Sequence, residues 1–180
     1  MGASNSTDST MLSGAHFHLL VNHAPIFGFL FAFGLLLASY FFYPDVFRRT
    51  AFVVLIASAI AGAAANLSGD AAEDAARGMP GVRRADIHAH EEMGDKAYYL
   101  GGVLGVLALG ALIRWRRRPV PSGATLVAVL ATAFVCGAFV YTGLLGGRIR
   151  HTEIRPGATK ADALIVEPPR QRRTPPPPGQ

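Results

Sequence analysis

The sequence predicts an all-α fold: an integral membrane four-helix bundle with a short extramembrane cap and a disordered, proline-rich C-terminal tail. Apolar residues make up 51% of the 180-residue chain and the mean hydropathy is +0.30, high for a soluble domain of that size. The charged residues, 16% of the total, sit in blocks between long uncharged runs and are not interspersed as on a water-facing surface. Four such runs are long enough to cross a hydrocarbon core of about 30 Å at about 1.5 Å per residue.

The first span, residues 19–43, carries no charged side chain apart from the titratable His23, and Pro44 and Asp45 break it. The second, 47–67, opens with Arg48 and Arg49 and is rich in alanine and glycine. The third, 97–113, ends in Arg114, Trp115, Arg116, Arg117 and Arg118, an interfacial aromatic set in a dense basic stop. Pro119 and Pro121 make the next turn, and the fourth span, 124–145, closes before Arg148 and Arg150. Residues 1–15 read as a disordered N-terminus, 16–153 as the membrane domain and 154–180 as a disordered tail with a proline run at 175–178. Gly101 and Gly105 form a GxxxG pattern, and Ala61, Ala65 and Gly137 add small residues where helices can approach closely.

Parity puts both termini and the 68–96 loop at one membrane face and the two short turns at the other. The turns hold six arginines and the N-terminal flank holds none, which favours cytoplasmic turns and both termini outside. The tail, with seven Lys and Arg residues, pulls the other way. The flank also lacks the basic n-region of a secretory signal, so the first apolar segment is expected to be retained. A pI near 9.9 is explained by arginines bordering apolar runs, with lipid and not nucleic acid as the partner. The single cysteine, Cys136, lies within an apolar run, which excludes an intramolecular disulfide and CxxC chemistry.

The six histidines, His16, His18, His23, His88, His90 and His151, all fall at or beyond the face that carries the termini. The first three surround the entry to span one, where Pro25 either starts a helix or kinks one. In a helix His18 and Asn22 share one side and His16 and His23 another. His88 and His90 precede span three, where helical spacing aligns His88 with Glu91, Glu92 and Asp95. Mixed imidazole and carboxylate ligands suit zinc, iron or manganese. An acidic first helical turn that complements the macrodipole accounts for the same residues without a ligand. After span two, Asp70 and Glu73 join the candidate metal ligands, although Ser68 or Asp70 also fits as the cap of a short surface helix. After span four, Gly146 and Gly147 end the helix and admit close backbone approach, while Arg148 and Arg150 can hold a carboxylate, a haem propionate or a lipid phosphate.

No GxSxG, HExxH, Walker or dinucleotide-binding string is present, so the residues give little support to an enzyme. Two readings remain. In one, His18 or His23 together with His90 or His151 binds haem b or a divalent metal ion in an electron-transfer subunit, with Arg148 and Arg150 at the propionates, or with Asp70, Glu73, His88, Glu91 and Glu92 among the metal ligands. In the other, the chain is a non-catalytic structural or assembly subunit of a membrane complex and its histidines are hydrogen-bonded scaffolding. Convergence of side chains on one position favours the first reading, and histidines bonded to backbone carbonyls and nearby carboxylates favour the second. A proton relay ranks last because no Asp, Glu, Lys or Arg falls at mid-span.

Four strings together, 18–26 (His-Leu-Leu-Val-Asn-His-Ala-Pro-Ile), 68–74 (Ser-Gly-Asp-Ala-Ala-Glu-Asp), His90-Glu91-Glu92 and 146–151 (Gly-Gly-Arg-Ile-Arg-His), resemble a family of small bacterial four-helix membrane proteins of unknown function. The resemblance implies a histidine-bearing bundle in the bacterial inner membrane and carries no ligand with it. His16 and His88 are extra to that pattern.

Overall fold

The computed structural model describes residues 14–168, whose regular structure is helical, with no strand among them. A first helical stretch, α1 (residues 14–21), is separated by a turn at 22–23 from α2 (Ala24–Ala38). The break follows from Pro25, which lies at the start of α2, where its missing N–H is no loss. The chain then forms α3 (Pro44–Leu67), the short α4 (Gly69–Ala76), α5 (Arg84–Arg114) and α6 (Ser122–Arg150), followed by 3-10 turns at Thr152–Ile154 and Lys160–Leu164. Four helical segments are long and apolar enough to cross a membrane: Gly14–Ala38, Pro44–Leu67, Arg84–Arg114 and Ser122–Arg150.

The helices pack in cyclic order, α2 against α3, α3 against α5, α5 against α6 and α6 against α2. Small residues set how close they come. A Cβ on Gly105 would lie 2.6 Å from the Ala59 Cβ, and one on Gly101 would lie 3.0 Å from both the Phe29 and Phe139 rings. Those rings stack with centroids 4.9 Å apart, so the GxxxG pair gives one glycine to helix contact and the other to an aromatic pair. Gly137 differs from expectation: it is exposed and a Cβ there would meet nothing within 4 Å. The outer surface of the long helices carries Phe27, Phe31, Val53, Ile60, Val106, Val127, Leu130 and Phe134, all largely exposed. An apolar exterior of that extent fits hydrocarbon and not water.

The element limits depart from the sequence reading at several points; α3 starts at Pro44 and not at 47, and α6 runs from Ser122 to Arg150 and not from 124 to 145. The first long helix ends at Ala38, not at 43, and Tyr43 takes a left-handed conformation (φ 39°) to reverse the chain before Pro44. The third long helix starts at Arg84, 13 residues before the expected 97. At 31 residues it is about 46 Å long, so its first turns project beyond the apolar layer as a helix that polar residues can line. Residues 154–168, expected as the start of a disordered tail, fold back on the cap. Arg155 is buried, the Gly81 amide donates to the Ile165 carbonyl at 2.8 Å, and Gly81 has φ 76° with Ala163 packed where a Cβ would stand. The expected disorder at 1–13 and the proline run at 175–178 lie outside the described residues.

A capping box holds the second 3-10 turn: the Asp162 carboxylate accepts from the Thr159 amide and hydroxyl. Those bonds hold the Asp162 carboxyl below its usual range. A depressed folded pKa stabilises above the unfolded value and is lost as pH falls through the folded one. Acidification below about pH 4 is therefore expected to loosen 159–168. Hydrogen exchange at acid and neutral pH, corrected for intrinsic rates, checks this, and equal protection of those amides would contradict it.

Candidate functional site

The N-terminal ends of α1 and α5 meet the C-terminal ends of α3 and α6 at one end of the molecule, and the histidines gather there. His18 on α1 reaches α3, with Nδ1 2.9 Å from the Ala65 carbonyl oxygen and 3.1 Å from the Ser68 hydroxyl. His90 on α5 reaches α6, with Nδ1 2.9 Å from the Thr142 carbonyl oxygen. Its ring lies against Gly146, where a Cβ would come within 2.9 Å of Cε1. Gly146 therefore does admit a close approach, but of an imidazole, and α6 continues past both glycines to Arg150.

A carbonyl oxygen can only accept, so each neutral imidazole carries its hydrogen on Nδ1 and presents a lone pair on Nε2. Neither Nε2 makes a hydrogen bond among the described residues. Asn22, one helical turn beyond His18, adds a buried Oδ1 with no hydrogen-bond partner. The shared side of His18 and Asn22 is thus realised despite the break at 22–23, since the Asn22 amide still donates to the His18 carbonyl at 2.8 Å.

The other candidates are arranged differently. His16 and His23 are exposed. His88 is also exposed, its Nδ1 3.8 Å from Glu91, too long for a hydrogen bond. Glu92 pairs with Lys96 at 2.7 Å and Asp95 accepts from Asn66 at 2.8 Å, so the alignment with His88 does not gather one ligand set. His151 bonds Glu153 at 2.8 Å on the surface, and that contact, after the bond to its own amide, holds the Glu153 carboxyl below its usual range. Arg150 donates to the Met79 sulfur, while the Arg148 carbonyl accepts from Arg155. Since α5 begins at Arg84, the acidic first turn consists of Asp86, and the group at 88–95 lies further along the helix.

Asp70, Glu73 and Glu91 do converge, with one carboxylate oxygen from each within 4.8 Å of the others. No histidine belongs to that group among the described residues, so the mixed imidazole-carboxylate site separates into an imidazole pair and an acidic trio. Arg77 offsets the trio by pairing with Glu73 at 2.7 Å, and that bond, with the nearby carboxylates, raises the guanidinium pKa further. Ser68 stands at the start of α4 but makes no capping bond. It has a right-handed conformation between two nearly continuous helices, so its hydroxyl bonds back to the Ala64 carbonyl at 2.8 Å.

The residue that sequence reasoning missed is Arg155. Its side chain is 1% exposed, lies 3.1 Å from Asp86 and donates to the carbonyls of Arg148, Ile149 and Gly81. It thereby caps the end of α6 and ties the chain after it to the start of α5. No protein-family profile, curated protein or solved structure matches the chain.

Proposed function

We propose that the chain is a multi-pass protein of the bacterial inner membrane, a four-helix bundle with both termini outside, whose His18 and His90 hold a transition-metal centre in a non-enzymatic redox subunit. The observation that carries this reading is that both Nε2 atoms are left without a hydrogen-bond partner among the described residues, while Nδ1 of each ring donates to a main-chain carbonyl, a bond that taken alone favours the structural reading. That second contact orients a metal-ligating histidine and raises the basicity of its other nitrogen. Two Nε2 lone pairs and the unpartnered Asn22 oxygen suit iron better than soft copper(I), and zinc, although it accepts the same donors, cannot carry an electron. The centre is haem b or a bare divalent ion. His18 and His90 would hold the iron of a haem, which would supply one-electron transfer, and Arg148 and Arg150 in the last turn of α6 would hold its propionates.

The second reading, a structural or assembly subunit, draws on the same bonds, because each ties one helix to a carbonyl on another. His→Asn variants separate the two. The Asn amide nitrogen occupies the place of Nδ1 and keeps the carbonyl bond, whereas Nε2 is removed. A reduced-minus-oxidised optical spectrum with metal analysis on detergent-purified protein, grown with haem and trace metals, is the measurement. The expected result is a centre lost in His18→Asn and in His90→Asn with little change in thermal stability. Neither haem nor metal in the parent protein, together with destabilisation only in the His→Ala forms, would establish the structural reading.

A further inference from the structure

The opposite end of the molecule holds six arginines, and the structure divides them into two kinds. Arg48 donates to the Val120 carbonyl at 2.7 Å and lies over the Tyr40 ring. Arg49 pairs with Asp45 and donates to the carbonyls of Trp115 and Arg118 at 2.7 and 2.8 Å. Asp45 in turn accepts from the Val120 amide at 3.0 Å. These contacts fasten the turn after α2 to the turn after α5. The remaining four, Arg114, Arg116, Arg117 and Arg118, are exposed, and their guanidiniums make no hydrogen bond or ion pair among the described residues. Asp45, the acidic residue of these turns, is already engaged.

The four unpaired charges stand on a backbone that Arg49 holds in place. Beside them the chain exposes Phe41, Phe42, Tyr43 and Ile113, each more than 60% accessible. Water suits the guanidiniums and not this apolar border, whereas the headgroup and upper acyl region of a bilayer suits both. Guanidinium forks match phosphate oxygens bidentately, and arginine is the residue for planar phosphate contacts. We infer that this end of the molecule binds anionic phospholipid, with Arg114, Arg116, Arg117 and Arg118 on the phosphates and the aromatic border against the acyl chains. The inference rests on the helices crossing a bilayer and is independent of the histidine pair.

The test is lipid retention by the full chain purified from mixed micelles holding phosphatidylglycerol and phosphatidylcholine in equal amounts, read by mass spectrometry of the bound lipid. The parent protein is expected to enrich phosphatidylglycerol. The quadruple Arg→Gln variant, which breaks no hydrogen bond of the fold, is expected to lose the enrichment at an unchanged unfolding temperature. At about fivefold per basic residue near an anionic surface, removing four should lower the enrichment by up to about six-hundredfold. Arg77→Gln with Lys96→Gln at the other membrane face should leave enrichment intact. Equal retention of both lipids by the parent, enrichment that survives the quadruple change, or equal loss in the control pair would overturn the inference. Equal retention would leave the membrane reading standing, since both lipids would still be bound.

Discussion

A Gly105→Leu protein is expected to lose the close contact between α3 and α5 and to be destabilised by roughly 3 kcal/mol, the upper range for overpacking a close-fitted interior. The Cβ alone would lie 2.6 Å from the Ala59 Cβ, and neither atom is the end of a flexible chain. The helices must therefore part, which also disturbs the Phe29 and Phe139 stack over Gly101. Gly110, one and a half turns along the same helix, is the control, because a Cβ there meets nothing within 4 Å. Gly110→Leu should match the parent or gain slightly from helix propensity. Thermal unfolding in detergent and maleimide labelling of Cys136, which is 7% exposed, report the difference. Equal unfolding temperatures and labelling rates for the two variants would show that the helices do not meet at Gly105.

Arg155→Met should detach the cap while leaving the long helices intact. Three carbonyls lose a charge-assisted donor and Asp86 loses one of its two arginines, Arg83 remaining at 2.8 Å. Bonds to a charged group contribute about 1.5–3 kcal/mol each and are not additive, so a local loss of roughly 3 kcal/mol is expected. Lysine, a single point charge, cannot span the three carbonyls and should restore only part. Hydrogen exchange should rise in 79–86 and 148–168, with helix content by circular dichroism unchanged. Unaltered protection in those two segments would mean that Arg155 does not hold them.

The existence of four long apolar helices was legible because each is written in a continuous run of sequence. Their limits were less so. Hydropathy marks where a helix is apolar, and α5 carries thirteen residues beyond that layer, lined by His88, His90, Glu91 and Glu92. Parity of the spans was enough to collect the six histidines at one face, but spacing could not choose among them. His18 and His90 are distinguished by backbone carbonyls 47 and 52 residues away, and a carbonyl has no signature in sequence. Gly146 was the available hint, since paired glycines late in a helix announce that something packs closely there. Arg155 offered no such hint: it sits in a polar stretch that reads as tail, and its partner Gly81 is 74 residues earlier.

The arginine contacts between the two short turns also bear on how the chain assembles. During synthesis α2 and α3 are complete before the residues that receive the hydrogen bonds of Arg48 and Arg49 have been made, because Trp115, Arg118 and Val120 come some 66 to 72 positions later. Until then the first hairpin holds its guanidiniums by local contacts alone, Arg49 on Asp45 and Arg48 on Ser39 and the Tyr40 ring. The bonds to the turn between α5 and α6 form only when the second hairpin stands beside the first, so they are among the last contacts of the bundle to close.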